Sequence, residues 1–172
     1  MKIYIIGISC SGKTTLAKRI SEKLNITHIE LDQIWWQPGW QELGKDKFRT
    51  IVTEKLFENH SWVVDGNYNH VRELLIAEAD QIIWLNLPFR IVFCRAIART
   101  LGRIISKETV CNGNHENWQA LFSKEGMPFW VIRTYSKRIK YGNHLKASDK
   151  RLIELKTPAE INRFLNKIAK PV

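Results

Sequence analysis

The sequence predicts an α/β protein built on a parallel sheet, and three observations carry that expectation. Short apolar runs alternate with segments of helical spacing along the whole chain, as in strands joined by crossover helices. The first run, Ile3-Tyr4-Ile5-Ile6, leads directly into Gly7-Ile8-Ser9-Cys10-Ser11-Gly12-Lys13-Thr14. That octet fits G-x-x-x-x-G-K-[ST], the phosphate-binding loop. A helical run follows, with Leu16, Ala17 and Ile20 on one side. Strand, loop and helix are the context the motif needs. Its glycines let the backbone curl so that successive N–H groups point inward, and the positive end of the helix adds to them. Lys13 is expected to reach the β- and γ-phosphates of a nucleotide, and Thr14 to set its hydroxyl on Mg²⁺. Gly7, Ser9, Cys10, Ser11, Gly12 and Thr15 complete the expected cradle.

Composition narrows the class. The chain has 172 residues, 44% of them hydrophobic, which suits one domain over 1–172 with a real core. No apolar run has membrane-spanning length, and residues 1–8 enter the motif without the apolar region or cleavage site of a signal peptide. The expectation is a cytoplasmic protein. Cys10, Cys94 and Cys111 have neither metal spacing nor an even count and read as reduced thiols. Because Cys10 lies inside the loop, alkylation is expected to block nucleotide binding. The net charge of +10 is uneven. Residues 1–89 carry net −1, residues 90–151 hold thirteen Lys/Arg against four Asp/Glu, and residues 152–172 carry net +2. The basic stretch is either a lid closing over polyphosphate or a nucleic-acid surface.

The remaining elements follow in order. Residues 26–31 read as a second strand with Asp32 at its C-terminal end, where open α/β sheets bind ligands. In Trp35-Trp36-Gln37-Pro38-Gly39-Trp40, Pro-Gly breaks a tryptophan cluster into a turn. It packs as a flap on the fold or walls an acceptor pocket. Residues 46–59 have amphipathic helical spacing. Residues 61–68 read as a strand ending in Asp65-Gly66, and an acid there, beside a phosphate loop, is expected to hold Mg²⁺ or its waters. Residues 81–87 form the next strand, and Pro88 opens a helix to about Ile105 with an apolar stripe of Phe93, Ile97, Leu101 and Ile104. Arg95, Arg99 and Arg103 repeat every four residues, about 200° from that stripe, so they are expected on the opposite face. With no acid at i±4, they repel one another unless an anion sits there. Asn112-Gly113 marks a turn, and Trp118, Leu121 and Phe122 suggest a short helix. Residues 129–141 read as a helix, residues 151–155 as a last strand, and a final helix turns Ile161, Phe164, Leu165 and Ile168 to the core.

With these elements in hand, the chain resembles the adenylate-kinase-like kinases of nucleotides and small metabolites. The loop, the Val64-Asp65-Gly66 strand end and the run from Pro88 through Arg95 to Arg99 carry the resemblance. Leu31-Asp32, the tryptophan turn, residues 62–68 and Asn112-Gly113-Asn114-His115-Glu116 resemble the branch labelled DNA topology modulation (FlaR-like) proteins. The resemblance implies a P-loop NTPase fold: a five-stranded parallel sheet in the order 2-3-1-4-5, flanked by helices, with a basic lid over about 103–138. It implies ATP and Mg²⁺ at the strand C-termini. Arg95 then stacks on adenine, Arg99 contacts phosphate, and Arg133 and Arg138 return from the lid. Lys156 and Thr157 frame adenine, and Asp32 holds or deprotonates the acceptor. The chain departs from mononucleotide kinases after Asp65-Gly66, where Asn67-Tyr68-Asn69 stands in place of the acceptor-phosphate arginine. The second strand also lacks their Thr-Gly-Asp.

These readings together point to an ATP-dependent phosphotransferase with an unidentified small acceptor, a nucleotide or nucleoside among the candidates. Lys13, Arg99, Arg133 and Arg138 would neutralise charge on the transferring group, and Thr14 and Asp65 would hold the metal. The basic 90–151 segment keeps two alternatives open: a nucleic-acid-binding ATPase or regulator, and a polynucleotide end kinase.

Overall fold

Lys2–Gly7 forms β1, the central strand, because its alternation supplies both faces of a sheet: Ile3 and Ile5 on one, Tyr4 and Ile6 on the other, all buried. The computed structural model describes residues 1–118, 121, 123–124 and 126–168. The elements after β1 are α1 (Lys13–Leu24), β2 (Thr27–Glu30), α2 (Leu31–Trp35), β3 (Trp36–Gln37), β4 (Gln41–Glu42), α3 (Lys45–Glu58), β5 (Trp62–Asp65) and α4 (Asn69–Glu78). Then come β6 (Gln81–Leu85), α5 (Phe89–Ser106), β7 (Thr109–Val110), β8 (Asn114–His115), α6 (Met127–Ser148), β9 (Leu152–Leu155) and α7 (Pro158–Lys167).

The main sheet has the order β2-β5-β1-β6-β9, every neighbour parallel. Numbered among themselves, those strands run 2-3-1-4-5, the expected order. Tyr4, Val64, Ile82 and Trp84 pack on one face against Phe48 and Val52 of α3, Val71 and Leu75 of α4 and Leu145 of α6. Ile3, Ile5, Val63 and Leu85 pack on the other against Leu16, Ile20 and Leu24 of α1 and Leu165 of α7. A third group, Ile8, Leu87, Val92, Ala96 and Val131, seats α5 and α6 over the strand C-termini. Among the described residues no helix is long and apolar enough to cross a membrane.

The structure changes four expectations. The second strand stops at Glu30, and Asp32 lies in the first turn of the short helix α2. Helix α4 fills the stretch after Tyr68, where no element was anticipated. Helix α6 runs 22 residues, past the expected end at 141. Gly142-Asn143 looks like a helix stop, but the glycine is there for packing: a Cβ on Gly142 would overlap the indole of Trp84. Helix α5 buries Val92, Ala96 and Thr100, while Phe93, Ile97, Leu101 and Ile104 are half-buried. The arginines therefore sit three residues, about 60° around the helix, from the buried face, and not opposite it. Residues 107–118 include the β7–β8 hairpin with Cys111-Asn112-Gly113 at its tip. Leu121 N–H bonds back to Trp118, while Phe122 lies outside the described residues.

Candidate active site

The phosphate loop joins β1 to α1 through backbone that few residues adopt. Gly7 has φ +151°, and a Cβ there would come within 2.8 Å of the Leu85 carbonyl and 3.0 Å of Ser11 Oγ. Cys10 and Gly12 also have positive φ, +63° and +97°. A non-glycine residue at positive φ stores strain, and such strain gathers at ligand clamps. Arg95 donates to the Ser11 carbonyl at 3.2 Å, tying α5 to the loop. The Lys13 ammonium folds over the loop to the Ile8 carbonyl at 3.0 Å. It is half-buried, not exposed as expected of a lysine on a loop. Desolvation pulls its pKa down, against the attraction of the Asp65 and Asp32 carboxylates.

Thr14 and Asp65, paired in the sequence reading as metal-holding residues, meet here. Thr14 Oγ1 donates to Asp65 Oδ2 at 2.7 Å, and the carboxylate is buried. Its other oxygen lies 2.7 Å from Nε2 of His28, a residue the motif reading passed over. A hydroxyl and a carboxylate are hard oxygen donors, the set Mg²⁺ takes from protein when phosphates supply the rest of its shell. The residues present fit that ion.

Above the loop opens a cleft of about 610 Å³, within the range of small-molecule sites. It is lined by Ser9 to Thr15, by Arg95 and Arg99 of α5, and by Asp32. Arg99 Nε is buried with no partner among the described residues, a donor left for an anion. Arg103 instead finds Glu116 at 2.8 Å, thirteen positions on, so it has an acidic partner where only i±4 had been considered. Pro158, Ile161 and Asn162 of α7 close the far side; Pro158 continues the Lys156-Thr157 loop expected to frame adenine, Ile161 is expected only as a core residue, and Asn162 has no expected role. Lys156 and Thr157 are occupied locally. The Thr157 hydroxyl accepts from Glu160 N–H, and the Glu160 carboxylate accepts from Lys156 N–H, one residue before the N-cap, so both ends of the α7 entry are fixed locally. Of the two candidate lid arginines, Arg138 donates to the Asn67 carbonyl at 3.3 Å just past the C-terminal end of β5. Arg133 is exposed, stacked 4.9 Å over Trp130. They do not converge.

The wall around Asp32 has its own construction. Tyr68 OH donates to Asp32 Oδ1 at 2.6 Å, and burial with that carboxylate pushes the phenol pKa far up. The tryptophan turn divides its residues: Trp35 is buried against Phe48 and Tyr68, while Trp36 and Trp40 stand edge-to-face in a small β3–β4 hairpin. The β7–β8 hairpin docks on that one. Asn112 donates to the carbonyls of Gln33 and Trp36, at 2.9 and 2.6 Å. Buried Asn114 donates to the Gln37 carbonyl and accepts from Trp40 N–H. Burial, with Asp32 and Glu30 nearby, pushes the Cys111 thiol up to about 11. Tyr68 had a visible signal, its place in the run after Asp65-Gly66. His28 had only the alternation of His28-Ile29-Glu30 on an edge strand.

No family model matches the chain. It is 25% identical over 132 residues to the uncharacterized protein YqaC of Bacillus subtilis (strain 168), covering 73% of this chain and 74% of that one. It is 28% identical over 109 residues to a shikimate kinase of Persephonella marina (strain DSM 14350 / EX-H1), and 26% identical over 109 residues to a shikimate kinase of Sulfurihydrogenibium sp. (strain YO3AOP1). Those matches cover 54% of this chain and span 65% and 64% of the two kinases. The similarity to shikimate kinase is distant, and the five-stranded parallel sheet is consistent with a P-loop fold.

Proposed function

We propose that this chain is a small-molecule kinase, transferring the γ-phosphoryl group of ATP to an acceptor hydroxyl in the cleft. The Thr14–Asp65 pair at 2.7 Å, set at the phosphate loop and facing a cleft that Asp32 also lines, carries the reading. The distant similarity to shikimate kinases supports it. Mg²⁺ bound with the nucleotide would draw charge from the β- and γ-oxygens. Thr14 would present its hydroxyl oxygen to that ion while Asp65 orients the hydroxyl. Lys13 and Arg99 would meet the oxygens that gain charge as the bond from γ-phosphorus to the ADP oxygen breaks. Tyr68 holds one oxygen of Asp32 and leaves the other to take the acceptor's proton as its oxygen bonds to phosphorus. Arg95 would brace the loop and the nucleotide's base side. The docked hairpins would roof the acceptor and keep water out.

The placement in the branch labelled DNA topology modulation proteins rests on sequence motifs alone. The nucleic-acid alternative rests on the charge of residues 90–151, and that charge is divided. Arg95 and Arg99 line the cleft, Arg103 is paired with Glu116, and Arg138 is bonded to the Asn67 carbonyl past the end of β5. The test is transfer of label from γ-labelled ATP, with Mg²⁺, to a panel holding shikimate, nucleosides, nucleotides, small polyols and DNA ends. Label on a small hydroxylated acceptor is the expected result. Label on DNA ends alone, or ATP bound with no transfer to any acceptor, would sink the proposal.

A further inference from the structure

We infer that His28 is a positioning residue for the metal-bound nucleotide, acting through Asp65 on the hydroxyl of Thr14. The inference rests on the kinase reading of the cleft. The relay has two links of equal length: Thr14 Oγ1 donates to Asp65 Oδ2 at 2.7 Å, and Asp65 Oδ1 stands 2.7 Å from His28 Nε2. Both carboxylate oxygens are thereby held, one by the first turn of α1 and the other by edge strand β2. A carboxylate tethered through one oxygen still turns about its terminal torsion, which is broad and soft. The second tether removes that freedom. The direction of the Thr14 O–H bond is then fixed, and with it the lone pairs left for a metal ion.

The sheet dictates which residue supplies the second tether. Thr27 to Glu30 pair in register with Trp62 to Asp65, so His28 stands opposite Val63 and Glu30 opposite Asp65. Side chains alternate across a strand, which puts His28, Glu30, Val63 and Asp65 on the α1 face and Ile29 in the opposite core. Glu30, directly across, is a second carboxylate, and an ionised carboxylate has no proton to donate. His28, one diagonal step away, is the neighbour on that face with an N–H to give. Outer partners of this kind orient the groups that touch a metal, and losing one costs about 10- to 100-fold in metal affinity. His28 also lines a second cleft of about 430 Å³ beside Gln33, Lys55 and Asn59. Its ring can therefore be removed and replaced from solvent.

Calorimetric titration of ATP, with and without Mg²⁺, tests this directly on the wild type, His28→Ala, His28→Gln, and His28→Ala with added imidazole. Asp65→Asn serves as the reference for loss of the metal term. His28→Ala is expected to lose about ten-fold of the Mg²⁺-dependent gain in ATP affinity. Metal-free ATP affinity should stay at the wild-type value, while Tm falls because a buried carboxylate oxygen loses its partner. His28→Gln, which keeps an N–H donor, should recover part of the gain, and imidazole should restore it to His28→Ala. An unchanged Mg²⁺ gain in His28→Ala, or a loss that neither glutamine nor imidazole relieves, overturns the proposal. A wild type that binds ATP with no Mg²⁺-dependent gain would overturn the kinase reading itself, and this inference with it.

Discussion

The phosphate loop takes its shape from the backbone of residues 7–13 and is tied to the rest of the chain by Arg95 on the Ser11 carbonyl and Asn67 on the Gly7 carbonyl, whereas the wall around Asp32 is held by side chains reaching across 36 to 79 positions. On the donor wall, the positive φ of Gly7, Cys10 and Gly12 and the return bond from Lys13 lie within residues 7–13. On the acceptor wall, two asparagine amides clip one hairpin onto another, and a tyrosine from the β5 end steadies Asp32. The loop's own geometry is set by a few adjacent residues, while the wall depends on two hairpins that meet from distant parts of the chain. In the kinase proposed above, the nucleotide end would be the general part of the site and the acceptor end the place where specificity is free to vary.

The largest expected effect separates the walls at the donor side. Lys13→Ala should lower phosphoryl transfer by about 100-fold or more, the usual loss when a preorganised donor to transition-state charge goes. Circular dichroism should show the fold intact, since the Lys13 side chain bonds only one loop carbonyl. Turnover at the wild-type rate would mean that the loop binds without catalysing. Next comes Arg99→Ala. A charge-assisted contact of about 1.5–3 kcal/mol corresponds to roughly 10- to 100-fold. Because Arg99 would meet charge that builds during transfer, the loss should fall on kcat and spare ATP affinity. Arg95→Ala should do the reverse, weakening ATP binding, since Arg95 is bonded to Ser11.

A smaller effect tests the acceptor wall. Asn114→Ala removes a buried amide that joins the two hairpins, at a cost of about 1–3 kcal/mol in docking. Acceptor KM should rise several-fold while ATP KM holds, and limited proteolysis should cut faster within 107–118. An equal rise in both KM values would erase the distinction between the walls. The smallest effect is chemical. Burial raises the thiol pKa of Cys10 and carries that of Cys111 to about 11. A raised thiol pKa leaves less thiolate at a given pH, so exposed Cys94 should label first near neutrality. Labelling of Cys111 should climb about ten-fold per pH unit below 11, as peptide mass spectrometry at several pH values would show. Cys10 is thus a slower target for alkylation than its place in the loop suggests.

The same contrast governs what could be read from the sequence. The loop was legible because its chemistry needs adjacent residues in fixed order, and β1, β5 and β6 because both-face burial leaves apolar runs; the half-covered edge strand β9 still shows Leu152, Ile153 and Leu155. The pairing of Thr14 with Asp65 followed from two strand ends lying side by side. The buried face of α5 was not legible. Its contact is made by the small residues Ala96 and Thr100, and the larger Phe93 and Ile97 that mark an apolar stripe are only half-covered. Helix α6 looked shorter because Gly142 resembles a terminus when Trp84 is out of view. Tyr68 and Asn114 stand in runs that carry the resemblance, but their partners lie 36 to 77 positions away and the sequence does not name them; for His28 only the strand alternation hints at a role.

Helix α5 touches both walls. Arg95 holds the Ser11 carbonyl near its start, and Arg103, eight residues and about 12 Å along, holds Glu116 beside the β7–β8 hairpin. One helix is thus bonded at one end to the phosphate loop and further along beside the β7–β8 hairpin. In the kinase proposed above, a nucleotide on the loop and an acceptor beside the hairpin would be coupled through this helix by the same free energy in either direction. The two substrates would then influence each other's binding without touching, and shortening either arginine would weaken that coupling.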